Sequence, residues 1–206
     1  MKVTKYPQSC LLLEKDGRRI VIDPGNFFAA KYSVAELGTL EAVLYTHQHG
    51  DHYDASVAEE FKSQGIPLYG NLAVAELIGA GSTVVTHRDS FIAGGFDITP
   101  HDLPHFAKPG VVMPPNTGYI IDGNFFHPGD GIKTEGVQVN DFAAPIGGPF
   151  EYQVIKDFAL SLQAKRIIPI HFTNVAMYPC DTTDFARVVG NSAEVIVLAD
   201  GQSVEL

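Results

Sequence analysis

The chain has 206 residues, with 14 Lys+Arg against 24 Asp+Glu, 8 His, 2 Cys and no Trp, and a net charge of −10. That length suits one domain over residues 1–206 and lets about 70% of the unfolded surface be buried, so the core needs no covalent staples. The acidity excludes a polyanion-gripping surface, and with it nucleic acid or anionic membrane as partners.

In chain order, Cys10–Leu13 and Arg19–Ile22 are short apolar runs around Lys15-Asp16-Gly17, which reads as a hairpin. Asp23-Pro24-Gly25 ends the second strand. Ser33 with Glu36 three residues on has the form of a capping box. Ala42–Tyr45 is a buried-type strand that runs into His47-Gln48-His49-Gly50-Asp51-His52, and a helix over 55–63 follows, capped by Asp54 or Ser56. Pro67–Tyr69 reads as strand and Leu72–Ile78 as helix; Val84–Thr86, Ser90–Ile92 and Phe96–Thr99 are further strands. Residues 100–117 contain Pro100, Pro104, Pro109, Pro114 and Pro115 and read as a long loop, which in a compact domain is usually functional. Tyr119–Ile121 and Asn124–His127 flank Asp122-Gly123, a second hairpin signal. A strand over Gln138–Ile146, a helix over Glu151–Gln163, a strand over Arg166–Ile170 and a helix over Phe185–Val189 follow. Glu194–Leu198 and Ser203–Glu205 are expected to pair through Asp200-Gly201. Tight turns between so many strands imply a mixed sheet, and no fixed-period repeat is visible.

The chemistry concentrates in His47-x-His49-x-Asp51-His52, a loop between a strand and a helix. His47 and His49 alternate by two, so an extended backbone can aim both imidazoles the same way. Asp51 and His52, beyond Gly50, can face a second point. Imidazole and carboxylate suit Zn, Fe and, for Asp, Mn. Further candidates stand at strand ends: His105 beyond 96–99, Asp130 after 124–127, and His171 closing 166–170. Each alone is weak, and their joint occurrence in this order carries the argument.

With these stretches, plus Ile22-Asp23-Pro24, Gly129-Asp130 and Ile168-Pro169-Ile170-His171-Phe172, the chain resembles the metallo-β-lactamase-fold superfamily of metal-dependent hydrolases. Within it, the sequence is most similar to the small members grouped around the ascorbate-6-phosphate lactonase type. The resemblance implies an α/β fold of α+β organisation, a four-layer αββα sandwich with metals at one edge. It implies that His47, His49 and His105 hold one metal, that Asp51, His52 and His171 hold a second, and that Asp130 bridges them. Asp23 then takes a supporting place behind the ligands. Two divalent ions, zinc first and manganese or iron next, would generate a bridging hydroxide near pH 7 that attacks a small ester, lactone or phosphoester. Asp51 and Asp130 are the catalytic carboxylates of this reading, with Asp51 orienting the nucleophile or shuttling a proton.

His101 and His127 are candidates for a proton donor or a substrate contact at the cleft, or else for structural histidines. His87 reads as surface and Cys10 as core; Cys180 is not expected to be catalytic. The loop 100–117 and Gly147-Gly148-Pro149-Phe150 are expected to wall the pocket, with Phe106, Phe150 and Phe172 as apolar contacts and Lys108 as the cation for a phosphate. Two other readings use the same residues: a mononuclear iron oxidoreductase of the dioxygenase kind, and a metal-binding protein without turnover. Di-iron reductases of the superfamily carry Glu where His49 stands, and its RNA-processing nucleases need a gripping insert, for which the 24 residues between His105 and Asp130 leave little room. Leu11-Leu12-Leu13 runs straight into Glu14-Lys15-Asp16, so no secretory signal is read there and the expected location is the cytoplasm. The expected partner is a small-molecule substrate; the sequence leaves the oligomeric state open.

Overall fold

The computed structural model describes residues 1–107, 110–172 and 180–206. The first sheet contains β1 (Lys2–Lys5), β2 (Leu11–Lys15), β3 (Arg18–Ile22), β4 (Ala42–Tyr45), β5 (Leu68–Gly70) and β6 (Ser82–Val84). The second contains β7 (Phe91–Ala93), β8 (Phe96–Asp102), β9 (Thr117–Ile121), β10 (Phe125–His127), β11 (Asp141–Pro145), β12 (Arg166–Ile170) and β13 (Glu194–Val195). The last strand, β14 (Ser203–Glu205), returns to the first sheet beside β1, making each sheet seven-stranded among the described residues. Helices α1 (Asn26–Ala29), α2 (Ala55–Ser63), α3 (Leu72–Ile78), α4 (Tyr152–Ser161) and α5 (Thr182–Val189) fill the connections.

The two sheets repeat one topology. An antiparallel run β14-β1-β2-β3 passes into a parallel run β3-β4-β5-β6, and β7-β8-β9-β10 passes into β10-β11-β12-β13 in the same way. Both antiparallel runs turn on an Asp-Gly pair in left-handed backbone, with φ +52° and +75° at Asp16-Gly17 and +51° and +64° at Asp122-Gly123. Positive φ at both central residues gives the turn whose twist matches the strands. The parallel pairs are joined by crossovers, as parallel pairing requires, and these carry helices except between β10 and β11, where residues 128–140 form an irregular connection.

Burial of both faces explains the continuous apolar strands. Leu11, Leu13, Ile20, Ile22 and Leu44 of the first sheet meet Phe96, Ile98, Tyr119, Ile121 and Ile168 of the second in the central core. The alternate residues Leu12, Val21 and Val43 turn outward onto Phe28, Val57, Phe61 and Val74 of α1–α3. On the far side Phe142, Ala144 and Ile167 meet Ile155, Phe158 and Phe185 of α4 and α5. Three apolar interfaces between four layers make the αββα sandwich. Asp54 and Asp181 cap α2 and α5 through their side chains, and the Ser33–Glu36 capping box forms on a short 3₁₀ turn. No helix among the described residues is long and apolar enough to cross a membrane.

Two expectations are corrected and one strand is new. Glu194–Leu198 and Ser203–Glu205 do not form a hairpin, because β13 pairs with β12 and β14 with β1, in different sheets. Gly201 N–H instead donates to Lys5 O at 2.7 Å, and Asp200 pairs with Lys5 and Lys31. The strand β1 gave no signal in the sequence. Residues 100–102 extend β8 rather than opening the loop; Pro100 sits beyond the residues that pair with β7, where the missing N–H leaves no ladder bond unmade.

Candidate metal centre

The β4 strand ends at Tyr45, and Asp23 anchors Thr46 just beyond it together with His52. Asp23 follows β3 with φ +53° and is fully buried. It accepts from Thr46 N–H and Thr46 Oγ1–H, each at 2.7 Å, and from His52 Nδ1 at 2.7 Å. Having donated its hydroxyl proton to Asp23, Thr46 Oγ1 accepts from His47 Nδ1 at 3.0 Å. Carbonyl oxygens, which can only accept, fix two more rings: His105 Nδ1 donates to Phe106 O at 2.6 Å and His171 Nδ1 to Gly147 O at 2.7 Å.

With the proton on Nδ1, the neutral form of all four rings turns a lone pair on Nε2 into the site. His49 Nδ1 lies 3.2 Å from His47 Nε2 and 3.1 Å from His105 Nε2. Asp51 Oδ2 lies 3.2 Å from His171 Nε2 and 3.8 Å from His52 Nε2. Asp130 reaches both groups, with Oδ1 3.2 Å from His52 Nε2 and Oδ2 3.4 Å from His105 Nε2 and 3.3 Å from His171 Nε2. Two sets of ligand atoms result, His47–His49–His105–Asp130 and Asp51–His52–His171, each able to hold a metal ion.

The donor chemistry fits such ions. His52 Nε2 and Asp130 Oδ1 are buried 3.2 Å apart with no hydrogen-bond partner beyond each other, and buried groups so poorly satisfied are rare and costly. Imidazole lone pairs about 3 Å apart repel unless a cation lies between them, and the mixed N/O set suits a borderline or hard divalent ion. In His47, His52, His105 and His171 the outward nitrogen is held by an acceptor, the arrangement that orients metal-ligating histidines.

Burial and charge divide the titrating groups. Burial lowers the imidazoles of His47, His49 and His105 below their usual range. Burial also pulls on His52 and His171, but neighbouring carboxylates outweigh it: Asp130 and Asp23 carry His52 well above its usual value, and Asp130 and Asp51 push His171 up to about 9. Burial would raise Asp51 and Asp130, yet His171 and His52 hold both carboxyls below the normal range.

All seven predicted residues therefore converge. His101 and His127 do not join them. His101 lies inside β8, buried against the exposed His87 at 5.3 Å between ring centroids. His127 is fully buried; Nε2 donates to Ser9 O at 2.8 Å and Nδ1 accepts from Gly129 N–H at 3.2 Å, so the ring fixes the loop that carries Asp130.

Three residues the sequence did not mark also shape the centre. Asn116 accepts from Asp130 N–H at 3.1 Å and donates to Pro128 O at 3.0 Å. Asn71 donates to Thr46 O at 3.0 Å while capping α3 through Val74 N–H. Gln8, at φ +63°, donates its amide to Asp51 Oδ2 at 2.9 Å and accepts from His171 N–H at 2.9 Å. Lone amides in loops give no pattern to read; only their contacts reveal them.

A cavity of about 540 Å³ opens onto His49, Asp51, His105, Asp130 and His171. Pro149 and the segment around Val111 and Met113 wall it as expected, and Phe150 backs Phe106 at 5.0 Å between ring centroids. Phe172 does not line the cavity; its ring lies under Lys5 Nζ at 4.5 Å and packs on the α4–α5 side. Lys108 lies outside the described residues.

The family model for the beta-lactamase superfamily domain matches residues 2–171. A UPF0173 metal-dependent hydrolase of Pyrococcus furiosus is 26% identical over 228 aligned positions, covering 100% of both chains. Another, of Thermococcus onnurineus, is 29% identical over 213 positions, covering 92% of each. Among solved structures, the metallo hydrolase Igni18 of Ignicoccus hospitalis superposes with a TM-score of 0.79 at 20% identity, over 98% of this chain and 97% of that one. The isothiocyanate hydrolase from Delia radicum gut bacteria gives a TM-score of 0.79 at 17% identity, over 100% and 99%. The domain match, the αββα layers and the histidine–aspartate centre agree: the chain belongs to the beta-lactamase superfamily domain family and has the metallo-β-lactamase fold.

Proposed function

We propose that the protein is a metal-dependent hydrolase with two divalent ions, zinc first and manganese or iron next, acting on a small ester, lactone or phosphoester. One observation carries the dinuclear reading: Asp130 stands within 3.4 Å of ligand atoms in both clusters, through its two different oxygens. The names of the archaeal relatives support metal-dependent hydrolysis. When bound, such an ion pair lowers the pKa of water toward 7 and offsets negative charge developing on the substrate.

The protein's own groups do the rest. His47, His49 and His105 with Asp130 hold one position, and Asp51, His52 and His171 the other. Gln8 and His171 fix Asp51 Oδ2, and Asp51 keeps a partly exposed edge toward the cavity, where it orients the attacking water and takes its proton. The apolar walls exclude bulk water and strengthen every charge interaction within. The ascorbate-6-phosphate lactonase likeness favours lactones within this class.

Elemental analysis of purified protein should give close to two transition-metal ions per chain. His49→Ala should empty the first position and abolish hydrolysis of a panel of lactones, phosphodiesters and thioesters. Full activity in that variant would sink the mechanism. One iron per chain with no hydrolysis would instead favour the oxidoreductase reading.

A further inference from the structure

The cavity is two-sided in character. At one end stand the ligand residues with Gln8, and the carboxylates there are Asp51 and Asp130. The remaining wall is mostly apolar, built from Phe27, Phe106, Ala107, Val111, Met113 and Pro149, with Asn26 and Gly50 beside them. Among the described lining residues there is no Lys or Arg. Against the described lining, a phosphate or carboxylate carried on the far part of a substrate would be buried against hydrocarbon without a counter-charge, which is strongly unfavourable.

The apolar wall is a built surface and not a chance exposure. Phe106 is wedged between His105, Phe150 and His171, at 4.9, 5.0 and 5.8 Å between ring centroids, all edge-on. The backbone holds it too, since Phe106 N–H donates to Asp130 O at 2.8 Å. The ring thus stands in a fixed place beside the reacting centre, where it can receive the apolar group next to the scissile bond. Val111 continues the apolar wall toward solvent, with 53% of its surface exposed. Hydrocarbon left open at the mouth of a cavity gains on contact with an apolar ligand.

Resting on the hydrolase reading, we infer that the substrate is a neutral ester or lactone with an apolar acyl or aryl group, and with no charge away from the bond that breaks. Hydrolysis then adds water across the acyl carbon–oxygen bond. A new C–OH bond forms, the C–O bond to the alcohol breaks, one proton leaves with the alcohol and the acid releases the other.

The test uses zinc-loaded full-length protein and a series of phenyl esters: acetate, butyrate, hexanoate, and the hemisuccinate, which matches butyrate in length but ends in a carboxylate. kcat/KM should rise about two- to fourfold per added methylene, from about 0.8 kcal/mol per buried CH₂ at most, and the hemisuccinate should fall at least tenfold below butyrate. Val111→Asp should flatten the series, while Val112→Asp, at a site 96% exposed and outside the lining, should leave it unchanged. Hydrolysis with no dependence on chain length, or with hemisuccinate preferred, overturns the inference and leaves the hydrolase reading standing. Absence of hydrolysis both in this series and across the panel of lactones, phosphodiesters and thioesters overturns the hydrolase reading instead. Displacement of the uncharged dye Nile red by 2-octanone then decides the cavity's preference alone: displacement lost in Val111→Asp supports it, and no binding of either probe overturns it.

Discussion

His52 Nδ1 donates to Asp23 Oδ2 at 2.7 Å, with both side chains fully buried. The same carboxylate holds Thr46 by two bonds and, through Thr46 Oγ1, the ring of His47. One acid thus sets the orientation of a histidine in each cluster. Asp23→Ala should weaken metal retention by about 10–100-fold and lower the stability of the metal-free protein by about 3–5 kcal/mol, since it strands a buried partner. Competition against a chelator measures the first and denaturant unfolding the second. Unchanged retention would show that His52 is oriented by something else.

Gln8 offers a cleaner separation of backbone from side chain. Its left-handed φ of +63° is tolerated by Asn, and its carbonyl bond from His171 N–H survives any side-chain change. Gln8→Asn keeps that bond but shortens the amide reach to Asp51. The expected result is a kcat about tenfold lower, following the usual effect of partners behind a ligand, with metal content and Tm little changed. A loss of metal equal to the loss of rate would instead make Gln8 purely structural.

Gly25 is pressed against the ligand loop. A Cβ there would lie 2.6 Å from His52 N and closer still to the Asp51 carbonyl, while Asn26 N–H already donates to Gly50 O at 2.8 Å. Gly25→Ala should push Asp51 and His52 aside and cost about 1–3 kcal/mol, as overpacking does. The second cluster should lose its ion before the first, which metal stoichiometry by elemental analysis can read.

The metal-free protein should be most stable near pH 6.5. His47, His49 and His105 titrate below that value when folded, so the unfolded chain binds more protons as pH falls and acid destabilises the fold. His171 has the opposite sign: raised to about 9, it contributes fully below about pH 6.5, the usual unfolded value, and loses that contribution as pH climbs through 9. His52, also raised, adds to the alkaline loss. Thermal melts from pH 5 to 10 should show a maximum, and zinc should flatten its alkaline limb by occupying the nitrogens that the protons held. An alkaline limb unaffected by zinc would remove His171 and His52 from the ligand set.

Much of this was legible before the fold was known. His47-x-His49-x-Asp51-His52 and the strand-end positions of His105, Asp130 and His171 converge as expected: the motif, Asp130 and His171 follow strands that pair in parallel, β4, β10 and β12, and His105 follows the antiparallel β8. Both hairpins carry their turn type locally, in Asp16-Gly17 and Asp122-Gly123. Asp200-Gly201 carries the same two letters and forms no hairpin, since its flanking strands bond across nearly the whole chain, Val3 to Val204 and Ile167 to Val195. The topological repeat is likewise silent: it resides in strand order, which apolar runs do not encode. His101 and His127 look alike in sequence to the ligand histidines, and only their distant partners, His87 and Ser9, set them apart.

Each candidate metal position draws on both sheets. His47 and His49 follow β4 while His105 and Asp130 follow β8 and β10; Asp51 and His52 follow β4 while His171 follows β12. An ion seated at either position is thus a rivet through the sandwich, and whatever loosens the contact between the sheets must loosen the ion by the same free energy. A chelator would then act as a denaturant, and a variant hidden in the inter-sheet core, far from any ligand in sequence, would present itself first as a protein that cannot keep its metal.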